Sequence, residues 1–231
     1  ESIVRIAKKG GMYILVDDEK RENEGDLVFC ASDVDQKKIN FMAKNGRGLI
    51  CLALERQRVE TLGLEMMQQR NISRLGTAFT VSIEASQGVT TGISAADRAK
   101  TIEVAINDKT SPQDLSTPGH VFPLVARDGG TLIRAGHTEA SIDLSVLAGL
   151  KPSGVICEIM ADDGTMARGK MLYNFAKKHS LKIISIEDLI RYRRKNEKLV
   201  EKIEAIRLPT EYGDFTLHLY EDKSVSYTHL T

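Results

Sequence analysis

Between residues 17 and 26 the chain reads Asp-Asp-Glu-Lys-Arg-Glu-Asn-Glu-Gly-Asp, six carboxylates and two cations in ten residues. Carboxylates held this close raise one another's pKa unless a cation intervenes. Hard oxygen ligands of this kind suit Mg²⁺ or Mn²⁺. A solvated acidic turn accounts for the same pattern. A second group, Arg134-Ala135-Gly136-His137-Thr138-Glu139, follows one expected strand and opens an expected helix. Backbone N–H groups at such a helix start, with Thr138 and Arg134, suit a phosphate. His137 beside them is an imidazole able to share a divalent metal with a carboxylate, which would make Glu22 and His137 a mixed nitrogen and oxygen pair. An ordinary loop histidine is the alternative.

Two further residues have the character of acid/base groups. His120 lies in Pro118-Gly119-His120-Val-Phe-Pro123, where two prolines restrict the backbone and Gly119 removes side-chain bulk. Glu158 interrupts the apolar run Gly154-Val-Ile-Cys-Glu-Ile-Met160. Burial would raise its pKa and poise it for proton transfer, whereas an outward-facing strand residue would do nothing of the kind. Thr90-Thr91-Gly92-Ile-Ser94 supplies hydroxyls and flexible backbone suited to an anion, although capping alone explains Ser94.

Positioning these groups requires alternating strands and helices. Ile3, Val4, Ile6 and Ala7 predict an opening helix ended by Gly10-Gly11, followed by strands at 12–16 and 27–31. Helices are expected at 36–43 and 56–62 with a strand at 49–54 between them, and period-two alternation marks 78–85. Ser94, with Asp97 three residues on, is the expected N-cap of a helix through Ile106. Asp128-Gly129-Gly130 predicts a hairpin turn between strands at 122–126 and 131–133. Thr138 is the expected cap of a helix ending at Gly149, leading to a strand at 155–160. A helix at 170–178, a strand at 182–186 and a long charged helix over 187–206 complete the order, and 207–220 begins a new apolar pattern. The expected architecture is α/β, a mixed β-sheet with helices packed over it in a single main domain at residues 1–200.

The 231 residues carry 32 basic and 32 acidic side chains, so no global field favours nucleic acid or an anionic membrane. Any charge-based function is local. The basic residues at 191–198 read as solvated helix surface. Cys30, Cys51 and Cys157 sit singly in apolar runs and read as buried, reduced thiols. No stretch of about 18 apolar residues occurs, and a cytoplasmic protein is expected.

Taken together, DDEKRENEGD, GVTTGISAADRAKT, PGHVFPLVARDGG, RAGHTEASIDL, GVICEIMADDGTMAR and IEDLI resemble the 3,4-dihydroxy-2-butanone 4-phosphate synthases of riboflavin biosynthesis, from about Met12 to about Arg194. The resemblance implies a lyase that converts D-ribulose 5-phosphate into L-3,4-dihydroxy-2-butanone 4-phosphate and formate with a divalent cation, usually Mg²⁺. It implies a homodimer with sites near the subunit interface. Glu22 and His137 would bind the metal. Arg21, Glu22, Asp26, Arg134, Ala135, Gly136, His137, Thr138 and Glu158 would hold substrate, and His120 and Glu158 would handle protons. Arg207-Leu-Pro-Thr-Glu-Tyr-Gly213-Asp-Phe resembles the opening of a GTP cyclohydrolase II domain, so 201–231 is expected to be a linker and a truncated start of such a domain, with SVSYTHLT at 224–231 a non-native end. Two other readings use the same residues: a different Mg²⁺-dependent sugar-phosphate lyase or phosphatase, and a catalytically silent phosphosugar-binding domain supporting a fused enzyme.

Overall fold

The structure, a computed structural model, describes residues 1–68 and 76–222. The stretch 224–231, expected to be non-native, lies outside the described residues. Seven strands form one mixed sheet: β1 Tyr13–Val16, β2 Gly25–Cys30, β3 Cys51–Leu54, β4 Ile83–Ala85, β5 Leu115–Val125, β6 Ser153–Glu158 and β7 Ile183–Ser185. Their order is β4-β5-β3-β6-β2-β1-β7. β3 runs parallel to β5, and β1 parallel to β7, while β6 lies between β3 and β2 and is antiparallel to both.

Strand alternation sorts the apolar side chains onto two covered faces. Ile14, Leu27, Phe29, Leu52 and Cys157 point to one side and pack with Ile39 of α2 (Gln36–Phe41), Ile102 of α4 (Ala95–Ala105) and Leu172 of α6 (Lys170–His179). Tyr13, Leu15, Val28, Cys51 and Ile156 point to the other and meet Ala7 of α1 (Ser2–Lys8), Leu144 of α5 (His137–Leu147) and Leu189 of α7 (Ile186–Asn196). The result is a helix–sheet–helix sandwich, the mixed-sheet α/β architecture expected from sequence. α3 (Arg56–Thr61) adds Val59 to the first layer. Cys30, Cys51 and Cys157 are buried and free. Among the described residues no helix is long and apolar enough to cross a membrane.

Several local expectations are corrected. No hairpin forms at Asp128-Gly129-Gly130: β5 ends at Val125, and Gly130–Leu132 is a 3-10 turn. The Thr131 N–H and hydroxyl both donate to Asp143 on α5, so this segment is drawn to the helix instead of pairing as a strand. Thr138 does not cap α5. Gly136 is the N-cap residue, and Thr138 lies inside the first turn. Ser94 does cap α4, accepting the Asp97 N–H at 3.0 Å. The charged helix stops at Asn196, and β8 (Val200–Thr210) pairs antiparallel with β9 (Gly213–Asp222) in a separate ribbon. Ile206, Leu208, Phe215, Leu217 and Leu219 share one face of that ribbon, a period-two pattern incompatible with a helical stripe. β5 starts seven residues earlier than expected, at Leu115, and absorbs Pro118 in an irregularity opposite β4. Within the expected strand at 78–85, only Ile83–Ala85 is regular.

Candidate active site

The β1–β2 loop is organised around Asp17, whose side chain is fully buried. Asp17 accepts the Arg21 guanidinium at 2.8 Å, the Glu22 N–H at 3.0 Å and the Glu24 N–H at 2.9 Å. Buried carboxylates need such donors to remain ionised. The loop is therefore a built structure and not a solvated turn, and its fold lifts Glu22 to the start of α5. There His137 Nδ1 lies 3.4 Å from Glu22 Oε2, and His137 Nε2 lies 4.0 Å from Asp26 Oδ1.

Charge explains the protonation state of this cluster. Burial disfavours the His137 cation, but Asp26, Glu22 and Asp17 together outweigh it and push the imidazole up to about 9. Burial raises Asp26 to about 7, with the charges of Glu158, Glu22 and Glu24 adding and His137 opposing. Glu22 is also raised by burial, yet His137, Arg21 and Arg134 outweigh that effect and hold it below its ordinary value. Burial raises Glu24.

Glu158 ends β6 directly opposite Asp26 on β2, so both carboxylates project from the sheet face that α5 covers. Glu158 is half-buried and accepts the Leu49 N–H at 2.8 Å. Gly48 permits this approach, since a Cβ there would lie 2.5 Å from both Glu158 O and Oε2. The register matches Cys51 with Ile156 on one side and Phe122 on the other. Glu158 and His120, each two residues from its match, thus lie on either side of the chain entering β3. His120 does not join the Glu22–His137 pair; its Nδ1 sits 2.8 Å from Glu84 Oε2.

Arg134 folds back over the first turn of α5. Its Nη1 donates to Glu139 at 2.6 Å and its Nη2 to Thr77 at 3.3 Å. A Cβ on Gly136 would lie 2.2 Å from Arg134 Nη1, so the glycine makes room for the guanidinium over the helix N-terminus. Thr138 and Gly136 are buried, and Ala135 is exposed. The Thr90–Ser94 loop turns its polar groups inward: Asp97 accepts the Thr90 hydroxyl at 2.7 Å and the Thr90 and Gly92 N–H groups at 3.1 and 3.0 Å.

The structure thus gathers Arg21, Glu22, Asp26, Arg134, His137, Thr138 and Glu158 at one end of the sheet, with His120 two strands from Glu158. Sequence reasoning gave no role to Asp17, Glu84, Glu139 or Gly48. For Asp17 a local signal exists, an acidic residue closing a strand ahead of Arg and Glu. Glu84 and Gly48 act through residues distant in sequence, His120 and Glu158, while Glu139 acts through Arg134, five residues before it.

Asp17, Glu22 and His137 offer ligand atoms within 4.8 Å of one another. His137 Nε2 is buried without a hydrogen-bond partner among the described residues. Two carboxylates and an imidazole fit a divalent cation, and an orphaned buried nitrogen is what such a cation would satisfy. Asp17 already accepts three hydrogen bonds, which leaves Glu22 and His137 as the pair with free ligand capacity.

The family model described as 3,4-dihydroxy-2-butanone 4-phosphate synthase matches residues 1–192. "Riboflavin biosynthesis protein RibBA" of Aquifex aeolicus is 58% identical over 225 residues, 96% of this chain and 55% of that protein. The 3,4-dihydroxy-2-butanone 4-phosphate synthase of Pseudomonas aeruginosa is 53% identical over 230 residues, 100% of this chain and 63% of that protein. The chain thus spans little more than half to just under two thirds of these relatives. The crystal structure of RibBX, a two-domain synthase from A. baumannii, superposes with a TM-score of 0.90 at 49% identity, over 99% of this chain and 68% of that one. A synthase in complex with two magnesium ions superposes at 0.81 with 38% identity, over 85% of this chain and 96% of that one. A full-domain match and relatives more than half identical along nearly the whole sequence lead to one conclusion: the chain belongs to the 3,4-dihydroxy-2-butanone 4-phosphate synthase family.

Proposed function

We propose that this chain carries the activity its family is named for, converting D-ribulose 5-phosphate into L-3,4-dihydroxy-2-butanone 4-phosphate and formate with Mg²⁺ or Mn²⁺. The observation that carries the reading is the buried His137, whose Nδ1 lies 3.4 Å from Glu22 Oε2 and whose Nε2, 4.0 Å from Asp26 Oδ1, has no hydrogen-bond partner among the described residues. A magnesium-bound relative of 38% identity supports a metal of this kind.

In this reading Glu22 and His137 hold the cation, and Arg134, Thr138 and the N–H groups opening α5, with Ala135 and Gly136 in the turn before it, bind the phosphate. Arg21 and Asp26 contact the sugar hydroxyls. Enolisation of a ketose requires a base, and His120 and Glu158 are the proton carriers. A bound divalent cation supplies positive charge against the oxyanion that enolisation develops. Asp17 keeps the acidic loop folded against the site, and the loop keeps water out.

Residues 1–200 are read as the synthase domain, and 201–231 as a linker and the beginning of a GTP cyclohydrolase II-like domain, supported by the amphipathic β8–β9 ribbon. The working unit is read as a cytoplasmic homodimer. Exposed Ile133 and Val146, beside and on α5, are apolar surface of the kind a subunit contact covers.

The test is ¹³C NMR of the purified protein with Mg²⁺ and ribulose 5-phosphate labelled at C4. Labelled formate released with Mg²⁺ and abolished by EDTA is expected. Intact substrate in the presence of folded, metal-loaded protein would refute the reading and favour a phosphosugar-binding domain, and inorganic phosphate would indicate a phosphatase.

A further inference from the structure

Between the end of β5 at Val125 and the start of α5 at His137, the chain is tied down by two carboxylates that lie one turn apart on α5, Glu139 and Asp143. Both are buried, at 1% and 8% exposure. Glu139 joins the two ends of the segment: Oε1 accepts the Arg127 N–H at 3.0 Å, and Oε2 accepts the Arg134 guanidinium at 2.6 Å. Asp143 holds the middle, where it accepts the Thr131 N–H at 2.9 Å and the Thr131 hydroxyl. The 3-10 turn Gly130–Leu132 lies so close to this carboxylate that a Cβ on Gly130, at φ +64°, would fall 2.1 Å from Asp143 Oδ1.

Asp143 also takes a partner from another helix, Arg193 of α7. Its Nη1 donates to Asp143 Oδ2 at 2.8 Å and to the Gly129 carbonyl at 3.0 Å, while Nε and Nη2 grip the two oxygens of Glu197 at 2.7 and 2.8 Å. One guanidinium thus spans α5, the turn and the end of α7, with its side chain only 13% exposed. Desolvation offsets much of the attraction within so buried a pair, so its most direct contribution is a fixed position for the groups it joins. Those groups lead to Arg134. The Ile133 and Arg134 N–H groups both donate to the Gly130 carbonyl at 3.0 Å, and a shift of the turn therefore moves the base of the Arg134 side chain with it.

We propose that Arg193 is a positioning residue for Arg134. Acting through Asp143 and the Gly129–Thr131 turn, it fixes where the Arg134 guanidinium stands over the start of α5, and so sets the affinity for the substrate phosphate. Glu139 orients the guanidinium itself, whereas Arg193 places the backbone that bears it. This inference rests on the proposed role of Arg134 in holding phosphate.

The test uses the whole chain with Mg²⁺ and inorganic phosphate as the probe. Arg193→Met should weaken phosphate binding about tenfold and raise KM for ribulose 5-phosphate to match, with kcat within about threefold and Mg²⁺ affinity within about twofold. Arg193→Lys can still pair with Asp143 but lacks the fork that also grips Glu197, and should lose only about threefold. Thr131→Val removes one tether, changes no charge and keeps the Arg193–Asp143 pair; a loss of about threefold is expected there too. Amide hydrogen exchange at Ile133 and Arg134 should quicken in all three variants, by about tenfold in Arg193→Met, while exchange in β2 is unchanged. Wild-type phosphate affinity in a folded Arg193→Met protein would overturn the proposal; where that variant does not fold, wild-type affinity in Thr131→Val would do so. Mg²⁺ affinity that falls as far as phosphate affinity, or exchange that quickens equally throughout the chain, would reduce Arg193 to a general support of the fold and refute the positioning role. Exchange is read without ligand. A wild-type protein that binds no phosphate would therefore refute the role given to Arg134, while exchange at Ile133 and Arg134 still decides whether Arg193 holds the turn.

Discussion

Metal affinity should depend steeply on pH, and His137 sets the size of the effect. An imidazole ligates a metal only in its neutral form. Without metal, the carboxylates of Asp26, Glu22 and Asp17 hold His137 as a cation up to about 9, against the desolvation that favours the neutral ring. At pH 7 the ring must lose its proton about two pH units below its pKa. At about 1.36 kcal/mol per unit this costs ~2.7 kcal/mol, or ~100-fold in affinity. The logarithm of the Mg²⁺ dissociation constant should therefore fall by about one for each pH unit between 7.5 and 8.5. Isothermal titration calorimetry in buffers of different ionisation enthalpy counts the protons released, and about one per Mg²⁺ is expected at pH 7.5. In His137→Asn the affinity should be weaker and its pH slope in this window shallower. A dissociation constant independent of pH, or binding without proton release, would show that His137 is not a ligand.

The same groups make the metal-free protein sensitive to alkali. His137 is raised above its unfolded value of about 6.5, so its contribution is fully present below that pH and is lost as pH climbs through about 9. Asp26, raised to about 7, likewise favours the fold below its unfolded pKa and loses that contribution as pH rises through 7. The melting temperature of the EDTA-treated protein should fall from pH 6.5 to pH 9, and a flat or rising profile by calorimetry would contradict the charge balance. Glu22→Gln and His137→Asn should each weaken Mg²⁺ binding by at least about tenfold. Glu158→Gln should bind Mg²⁺ normally and lose turnover by about 10²-fold or more; full activity in all three variants would defeat the site assignment. Gly48→Ala forces a Cβ to 2.5 Å from the Glu158 main-chain and carboxylate oxygens, and should lower stability by about 1–3 kcal/mol together with kcat. Urea unfolding and single-turnover formate release check both effects.

Chemistry encoded in consecutive residues was readable without coordinates. The acidic run at 17–26, the turn into α5 at Arg134–Thr138 and the glycine–histidine segment at 119–120 each announce themselves by residue type and spacing, because a loop or helix start is built from neighbours in the chain. The main helices and most strands were legible for the same reason: periodicity is a local property. The Asp128-Gly129-Gly130 segment misled because turn residues specify a bend but not its partner, and here Asp143, on the following helix, outcompeted a second strand for Thr131. The charged segment after Asn196 misled because Glu and Lys suit a helix surface and a ribbon edge alike, and cross-strand pairing decided between them.

Tertiary structure alone determined which distant residues meet. Asp26 faces Glu158 because β2 lies beside β6, an adjacency that period-two alternation cannot specify, since it fixes the face of a side chain and not its neighbour. His120 meets Glu84 because a bulge sets the strand register, and Gly48 and Gly92 are required by carboxylates distant in sequence or on another element. The protonation of His137 belongs to this second class as well: an isolated imidazole titrates near neutrality, and only the three carboxylates that the fold gathers around it, outweighing the cost of burial, make it a cation whose proton a metal must displace.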